Sequence, residues 1–240
     1  MWISVLIYSL FMSTNMKEST ANAVANDDKK GTLLYVFDPL CGWCFGFTPV
    51  MESLEKKYSQ HLNFEVISGG MVPESHKEPI SRMSSYILGA IPRVEEYSGV
   101  KFGEPYKDLL KKGEYMSNSE PPARALTLFK RLKPELSAVE FAHKLQNIMF
   151  VEGKDFNNDS VYAELAESYG LNGAEFVKLL HSEENIKASK SEFTFAKSLG
   201  VTGYPAVLYI KDSTAYKVSN GFTSEKDIDD VIQYIINKKD

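Results

Sequence analysis

Cysteine is scarce in this sequence, which has only two among its 240 residues. Two cysteines make at most one disulfide, so no disulfide framework braces the fold and core packing must stabilise it. An excess of positive charge is also lacking, since 27 Lys and Arg residues stand against 32 Asp and Glu residues. The formal net charge of −5 provides no basic field for phosphates and argues against nucleic acid as a partner.

Long hydrophobic runs are missing as well. The apolar run at residues 2–12 is shorter than the about 20 residues that a transmembrane helix needs, so we predict no membrane span. This run and the small-x-small pattern at residues 21–23 favour a removable export signal, although no Lys or Arg precedes the run. The alternative is a cytoplasmic protein that starts at Met16. Residues 1–31 are thus a possible signal segment followed by a lead-in, and in both cases we expect residues 24–31 to be flexible.

Strand and helix patterns then follow in a regular order. Residues 32–37 predict a buried strand, residues 42–58 a helix that contains Pro49, and residues 62–68 a second strand. Two more strands at residues 206–210 and 215–219 precede a last amphipathic helix. The order β-α-β, then β-β-α, predicts an α/β fold with one domain at residues 32–71 and 187–240 and an all-helical insertion at residues 72–186.

The stretch between the two halves carries helix signals and no convincing strand. Ser137 and Asn172 each precede an acidic residue by three positions, which is typical of a helix N-cap, and Ser224 does the same before the last helix. Gly170 and Gly200 follow apolar helical patterns and predict helix ends.

The two cysteines, Cys41 and Cys44, are three positions apart, and three chemical explanations are open. A zinc site needs four ligands, but the four histidines are far apart and show no ligand spacing. A structural disulfide that closes so short a loop would stabilise the fold only weakly. A redox couple is favoured because the pair follows a strand and opens a helix.

The position of Cys41 at the helix start explains the redox chemistry. Unpaired backbone N–H groups and the positive end of the helix dipole stabilise a thiolate there. The thiolate is the attacking species in thiol–disulfide exchange, so Cys41 is predicted to be the nucleophile. Cys44 lies one turn further into the helix and is predicted to resolve the mixed disulfide.

Motifs that flank the predicted insertion indicate a protein family. They are residues 37–44 (FDPLCGWC), the helix with Pro49, the helical insertion, and residues 200–205 (GVTGYP) before the third strand. With these motifs the sequence resembles the thioredoxin fold and, within it, the DsbA family and its FrnE-like branch. The resemblance implies that Pro205 is a cis proline beside the cysteines and that the Tyr204 backbone can pair with an extended substrate.

The sequence departs from this family in several places. Gly42 and Trp43 stand where the DsbA oxidase has a histidine between its cysteines, and the first strand lacks the buried acid that many thioredoxin-fold proteins have. Asp38 is the nearest carboxylate, and either caps the turn or relays protons to Cys44. Trp43 either contacts substrate or shields the disulfide. Arg124 is a candidate anchor for an anion such as glutathione, with an ordinary surface residue as the alternative.

The resemblance predicts a protein thiol–disulfide oxidoreductase of the oxidase, isomerase or reductase type, without a cofactor or metal. Its partners would be cysteine-containing client proteins or peptides, with glutathione or another redox partner for recycling. Two alternatives are open. One is a glutathione-dependent transferase or isomerase of the kappa-class type, which usually has serine in place of Cys41. The other is a redox-sensing, chaperone-like module that binds peptides.

Overall fold

Six strands are present in the computed structural model, which describes residues 30–237; the predicted export signal lies outside these residues. The strands are β1 (Thr32–Phe37), β2 (Asn63–Ser68), β3 (Glu78–Pro79), β4 (Met116–Ser117), β5 (Ala206–Lys211) and β6 (Thr214–Asn220). Nine α-helices are described with them: α1 (Gly42–Tyr58), α2 (Ser84–Ser98), α3 (Glu104–Lys112), α4 (Glu120–Leu132), α5 (Ala138–Phe150), α6 (Asp159–Glu167), α7 (Gly173–Leu180), α8 (Glu183–Ser198) and α9 (Glu225–Asn237). Within this range, no helix is long and apolar enough to cross a bilayer.

Four of the strands form the central sheet in the order β2-β1-β5-β6. Strand β1 pairs parallel with β2, and β5 is antiparallel to both β1 and β6. Thr32 at the start of β1 is thus opposite Asn63 on one side and Ile210 on the other. Because β1 is central and buried on both faces, its side chains are a nearly continuous apolar run, as predicted.

The predicted absence of strands between the two halves is wrong at one place. Strands β3 and β4 form a separate antiparallel ladder in which Glu78 is opposite Ser117 and Pro79 is opposite Met116. Each strand has two residues, which is too short for the alternation of apolar and polar side chains that identifies a strand. The rest of the stretch is helical, with short 3₁₀ turns at Glu74–His76 and Ile80–Arg82.

The predicted helix caps are confirmed. The backbone N–H of Glu140 donates to the Ser137 hydroxyl at 3.0 Å, and that of Glu175 donates to the Asn172 side chain at 2.9 Å. The Asp227 N–H donates in the same way to Ser224 at 3.2 Å. Gly170 and Gly200, just after α6 and α8, have φ of 71° and 73°, a left-handed conformation that glycine adopts without steric cost.

Aromatic packing joins helix α1 to the predicted insertion. The Phe45 ring is 5.1 Å from Phe150 and 5.2 Å from Phe102, centroid to centroid. The chain from Gly31 onward forms one compact unit, and helix α8 runs across the predicted boundary at residue 186. The division into a thioredoxin-like domain and an insertion therefore stays a prediction.

Gly103 offers a test of this shared packing. It caps α3, where its N–H donates to the Phe150 carbonyl at 2.9 Å, and a Cβ there would overlap the backbone carbonyl of Val151. We expect Gly103→Ala to lower the free energy of unfolding by about 2 kcal/mol, measured by urea denaturation, because backbone atoms cannot move aside cheaply.

Gly89 is the matched control for this substitution. It lies inside α2, and a Cβ there meets no atom within 4 Å. Gly89→Ala should therefore raise the free energy of unfolding by about 0.5–1 kcal/mol. Equal unfolding midpoints for the two variants would contradict the close approach at Gly103.

Candidate active site

The two cysteines lie where strand β1 passes into helix α1. Cys41 is the N-cap of α1, with φ −86° and ψ 111°, and the N–H of Cys44 donates to its Sγ at 3.4 Å. Both cysteines are free thiols; Cys41 exposes 8% of its surface and Cys44 is fully buried. The outer thiol is therefore the one at the mouth of the site, and the inner one lies behind it.

A second segment reaches Cys41 from the far end of the chain. The Cys41 thiol donates to the carbonyl of Tyr204 at 3.6 Å, and the Tyr204–Pro205 peptide bond is cis. The Tyr204 hydroxyl donates to the Gly69 carbonyl at 2.8 Å, and its ring lies where a Cβ on Gly69 would be. The end of β2 and the turn before β5 thus meet directly at the outer thiol.

Asp38 connects the turn before Cys41 to two other segments. Its fully buried carboxylate accepts the N–H of Leu40 at 2.9 Å, which caps the turn, and the N–H of Met71 at 2.7 Å. The Ser119 hydroxyl also donates to it at 2.9 Å. Burial raises the pKa of Asp38 from 3.8 to about 6, and these hydrogen bonds hold it from rising further. The Asp38 carboxyl is thus closer to protonation at neutral pH than an exposed aspartate.

Cys44 is surrounded by groups that keep its thiol protonated. Burial raises its pKa well above the usual value, and the hydrogen bond and charge of Cys41 raise it further. The backbone N–H of Asp38 opposes this shift, while the Asp38 carboxylate adds to it. The inner thiol therefore needs a nearby base and a hydrogen-bond donor before it can act as a thiolate.

Sequence reasoning missed a buried polar group behind Cys44. The Tyr35 hydroxyl of β1 donates to the Cys44 carbonyl at 3.2 Å and is also 3.2 Å from the Thr48 hydroxyl. Thr48 in turn donates to the Gln146 side chain of α5 at 2.7 Å. Two features of the sequence point to this group. Tyr35 has a hydroxyl within the otherwise apolar run of β1, and Gln146 has an amide among the buried apolar side chains of α5.

Trp43 and Gly42, between the cysteines, have different surroundings. The Trp43 ring is half-buried and packs between Tyr97 and Phe222, at centroid distances of 6.2 and 5.6 Å. A Cβ on Gly42 would touch the Phe102 ring at 3.4 Å. Trp43 thus forms part of an aromatic rim at the site, and contact with a substrate stays a prediction for it.

Arg124 does not join the cysteines through its described contacts. Its Nε donates to the Glu120 carbonyl of the same helix at 3.4 Å, and its carbonyl accepts from Asn185. The anion-binding role of Arg124 stays a prediction. Among the residues from 30 to 237, no three His, Cys, Asp or Glu side chains come together as a metal site.

The mixed sheet, the helix that starts at a cysteine and the second cysteine one turn on define a thioredoxin-fold protein with a Cys-x-x-Cys pair. The chain belongs to the family of the DSBA-like thioredoxin domain, whose model matches residues 32–233. The predicted fold class and the predicted family are therefore confirmed, while the FrnE-like branch stays a prediction.

Solved structures agree with this fold. A putative protein disulfide isomerase from Nitrosomonas europaea superposes with a TM-score of 0.77 at 21% identity, over 88% of this chain and all of the other. The cytosolic disulfide reductase DsbM from Pseudomonas aeruginosa superposes with a TM-score of 0.71 at 22% identity, over 87% of this chain and all of the other.

A curated relative is named as an adapter protein and not as a disulfide isomerase or reductase. The ClpXP adapter protein SpxH of Bacillus subtilis is 25% identical over 187 residues, which are 75% of this chain and 59% of the relative. The chain thus spans about three fifths of the length of that relative.

Proposed function

We propose that this chain is a protein thiol–disulfide oxidoreductase in which Cys41 is the nucleophile and Cys44 the resolving thiol. The observation that carries the proposal is the position of the Cys41 sulfur. It lies at the start of α1, 3.4 Å from the Cys44 backbone nitrogen and 3.6 Å from the Tyr204 carbonyl oxygen. A thiolate there is stabilised by the backbone N–H groups at the helix start, and Cys41 is the more exposed of the two cysteines.

In the reducing direction, the Cys41 thiolate attacks one sulfur of a client disulfide and forms a mixed disulfide, and the other client sulfur leaves as a thiolate. The Cys44 thiol then gives its proton to the Asp38 carboxylate. The Cys44 thiolate attacks the Cys41 sulfur and forms the Cys41–Cys44 disulfide. The client sulfur that was bound to Cys41 then leaves as a thiolate. Two electrons pass from the cysteine pair to the client, and the same steps in reverse oxidise a client.

The partners we propose are cysteine-containing proteins or peptides, with glutathione or another thiol partner for recycling. The Tyr204 backbone beside Cys41 suits an extended client segment, and Pro205 holds that backbone at the site. Glutathione has support from DsbM of Pseudomonas aeruginosa, which was also solved with GSH.

A protein-binding module is the second candidate, and the SpxH relatives favour it because their name describes adapters. In this case the cysteine pair would be a redox sensor and a partner protein would bind nearby. Met71, whose N–H donates to Asp38, exposes 44% of its surface beside the site and offers an adaptable apolar contact.

Turnover separates these two candidates. We expect the purified full chain to reduce insulin, or to refold a scrambled disulfide substrate, through many cycles when excess glutathione is present. Binding that changes with the oxidation state of the cysteines, without any turnover, would favour the sensor instead. Glutathione conjugation that survives Cys44→Ser would favour the kappa-class alternative.

A further inference from the structure

We propose that Tyr35, Thr48 and Gln146 form a hydrogen-bond network that positions Cys44 and provides the hydroxyl donor for its sulfur during resolution. The inference rests on the proposed function and adds positioning residues to it. All three side chains are fully buried, so water does not replace the hydrogen bonds between them.

The network contains fewer protons than acceptors. The Tyr35 and Thr48 hydroxyls have one proton each, whereas four acceptors are present: the Cys44 carbonyl, the Tyr35 and Thr48 oxygens and the Gln146 side-chain oxygen. Either hydroxyl can therefore turn from one acceptor to another without breaking the network. The Tyr35 proton is free to move towards a new acceptor when one appears.

The new acceptor is the Cys44 sulfur. Burial and the nearby Cys44 charge raise the pKa of Tyr35, so Tyr35 stays a protonated donor whenever Cys44 ionises. The Tyr35 hydroxyl already contacts Cys44 through the Cys44 backbone carbonyl, at 3.2 Å. The titratable groups that interact with Cys44 are Cys41, Asp38, Tyr35 and Tyr204. The Cys41 sulfur is the atom under attack, and Asp38 takes the proton. The Tyr204 hydroxyl donates to the Gly69 carbonyl, so the Tyr35 hydroxyl is the neutral donor that remains for Cys44.

Gln146 extends the network into another element. It comes from α5, which packs against α1. Among the described residues its Nε2 has no hydrogen-bond partner, so its oxygen holds Thr48 while its nitrogen is buried without compensation. Burial of an unpaired amide nitrogen costs stability. The position keeps a polar side chain where an apolar one would pack more favourably, as expected for a group that serves the redox centre.

The test uses Ellman's reagent, which needs no client protein. The reduced wild-type chain should release two thionitrobenzoate ions in two phases: the first by attack of Cys41 on the reagent, the second by attack of Cys44 on the Cys41 mixed disulfide. Tyr35→Phe should slow the second phase about tenfold at pH 7 and shift its pH midpoint upward, with the first phase unchanged. Thr48→Val should slow the same phase about threefold.

Tyr162→Phe is the matched control. Tyr162 is fully buried and its hydroxyl also donates to a backbone carbonyl, that of Phe156 at 2.6 Å, so the same group is lost elsewhere. Both phases should keep the wild-type rate in this variant. The inference is overturned if the second phase of Tyr35→Phe and Thr48→Val is unchanged, or if both phases slow equally. Failure of insulin turnover would contradict the proposed function, but not the effect of Tyr35 on the second phase.

Discussion

Replacing Cys41 with serine is expected to lower turnover of insulin or of a scrambled disulfide substrate by more than about a thousandfold. A serine hydroxyl at the start of α1 is not ionised at neutral pH and forms no disulfide, so the first step of exchange is lost. The fold should be unaffected, because serine is of similar size and a good N-cap residue. Turnover and urea denaturation of the same preparation check both statements.

Cys44→Ser provides the contrast to this variant. It keeps the nucleophile and lacks the resolving thiol, so attack of Cys41 on a client disulfide or on oxidised glutathione should leave one sulfur attached to Cys41 as a mixed disulfide, while the other leaves as a thiolate. Intact-protein mass spectrometry without reductant detects the adduct. Turnover that proceeds equally well with Cys41→Ser would contradict the proposed function. An adduct on Cys44 in the Cys41→Ser variant would show that the roles of the two cysteines are reversed.

Asp38→Asn is expected to slow resolution by Cys44 about a hundredfold at pH 7, in the range typical for loss of a general base. With a pKa of about 6, the carboxylate is largely ionised at pH 7 and can accept the Cys44 proton. Below pH 6 it is protonated, so the wild-type rate should fall as the pH falls through this value. The second phase of the Ellman reaction between pH 5 and 8 measures this dependence, and the asparagine variant should lack the step near pH 6.

Ser119→Ala tests the effect of a hydrogen-bond donor on Asp38 without removing the carboxylate. This variant keeps the carboxylate and removes one of its hydrogen-bond donors, so the pKa of Asp38 should rise and the step should shift to higher pH. Asp38→Asn also deprives the Met71 N–H of a good acceptor, which should cost about 1–3 kcal/mol of stability. A wild-type pH profile in both variants would leave Asp38 only as the cap of the turn.

The helix and strand bounds and the helix caps that depend on neighbouring residues were predicted accurately from the sequence. The bounds of β1 and α1 agree with the sequence prediction residue by residue, and the caps at Ser137 and Asn172 have the predicted partners. Each of these features depends on residues within a few positions, such as a side-chain oxygen and the N–H three residues later. The two-residue strands β3 and β4 were missed because their pairing depends on residues 37 and 39 positions apart.

The sequence by itself determined that one sulfur stands at the first turn of a helix with a second sulfur one turn further on, since strand, turn and helix signals lie next to one another in the chain. Only the tertiary structure decided what surrounds these sulfurs. Tyr204 at the outer thiol and Gln146 behind the inner one come from 163 and 102 residues away. Hydrophobic burial sets which distant segments meet, because it is non-directional and leaves little local trace in the polar residues it brings together.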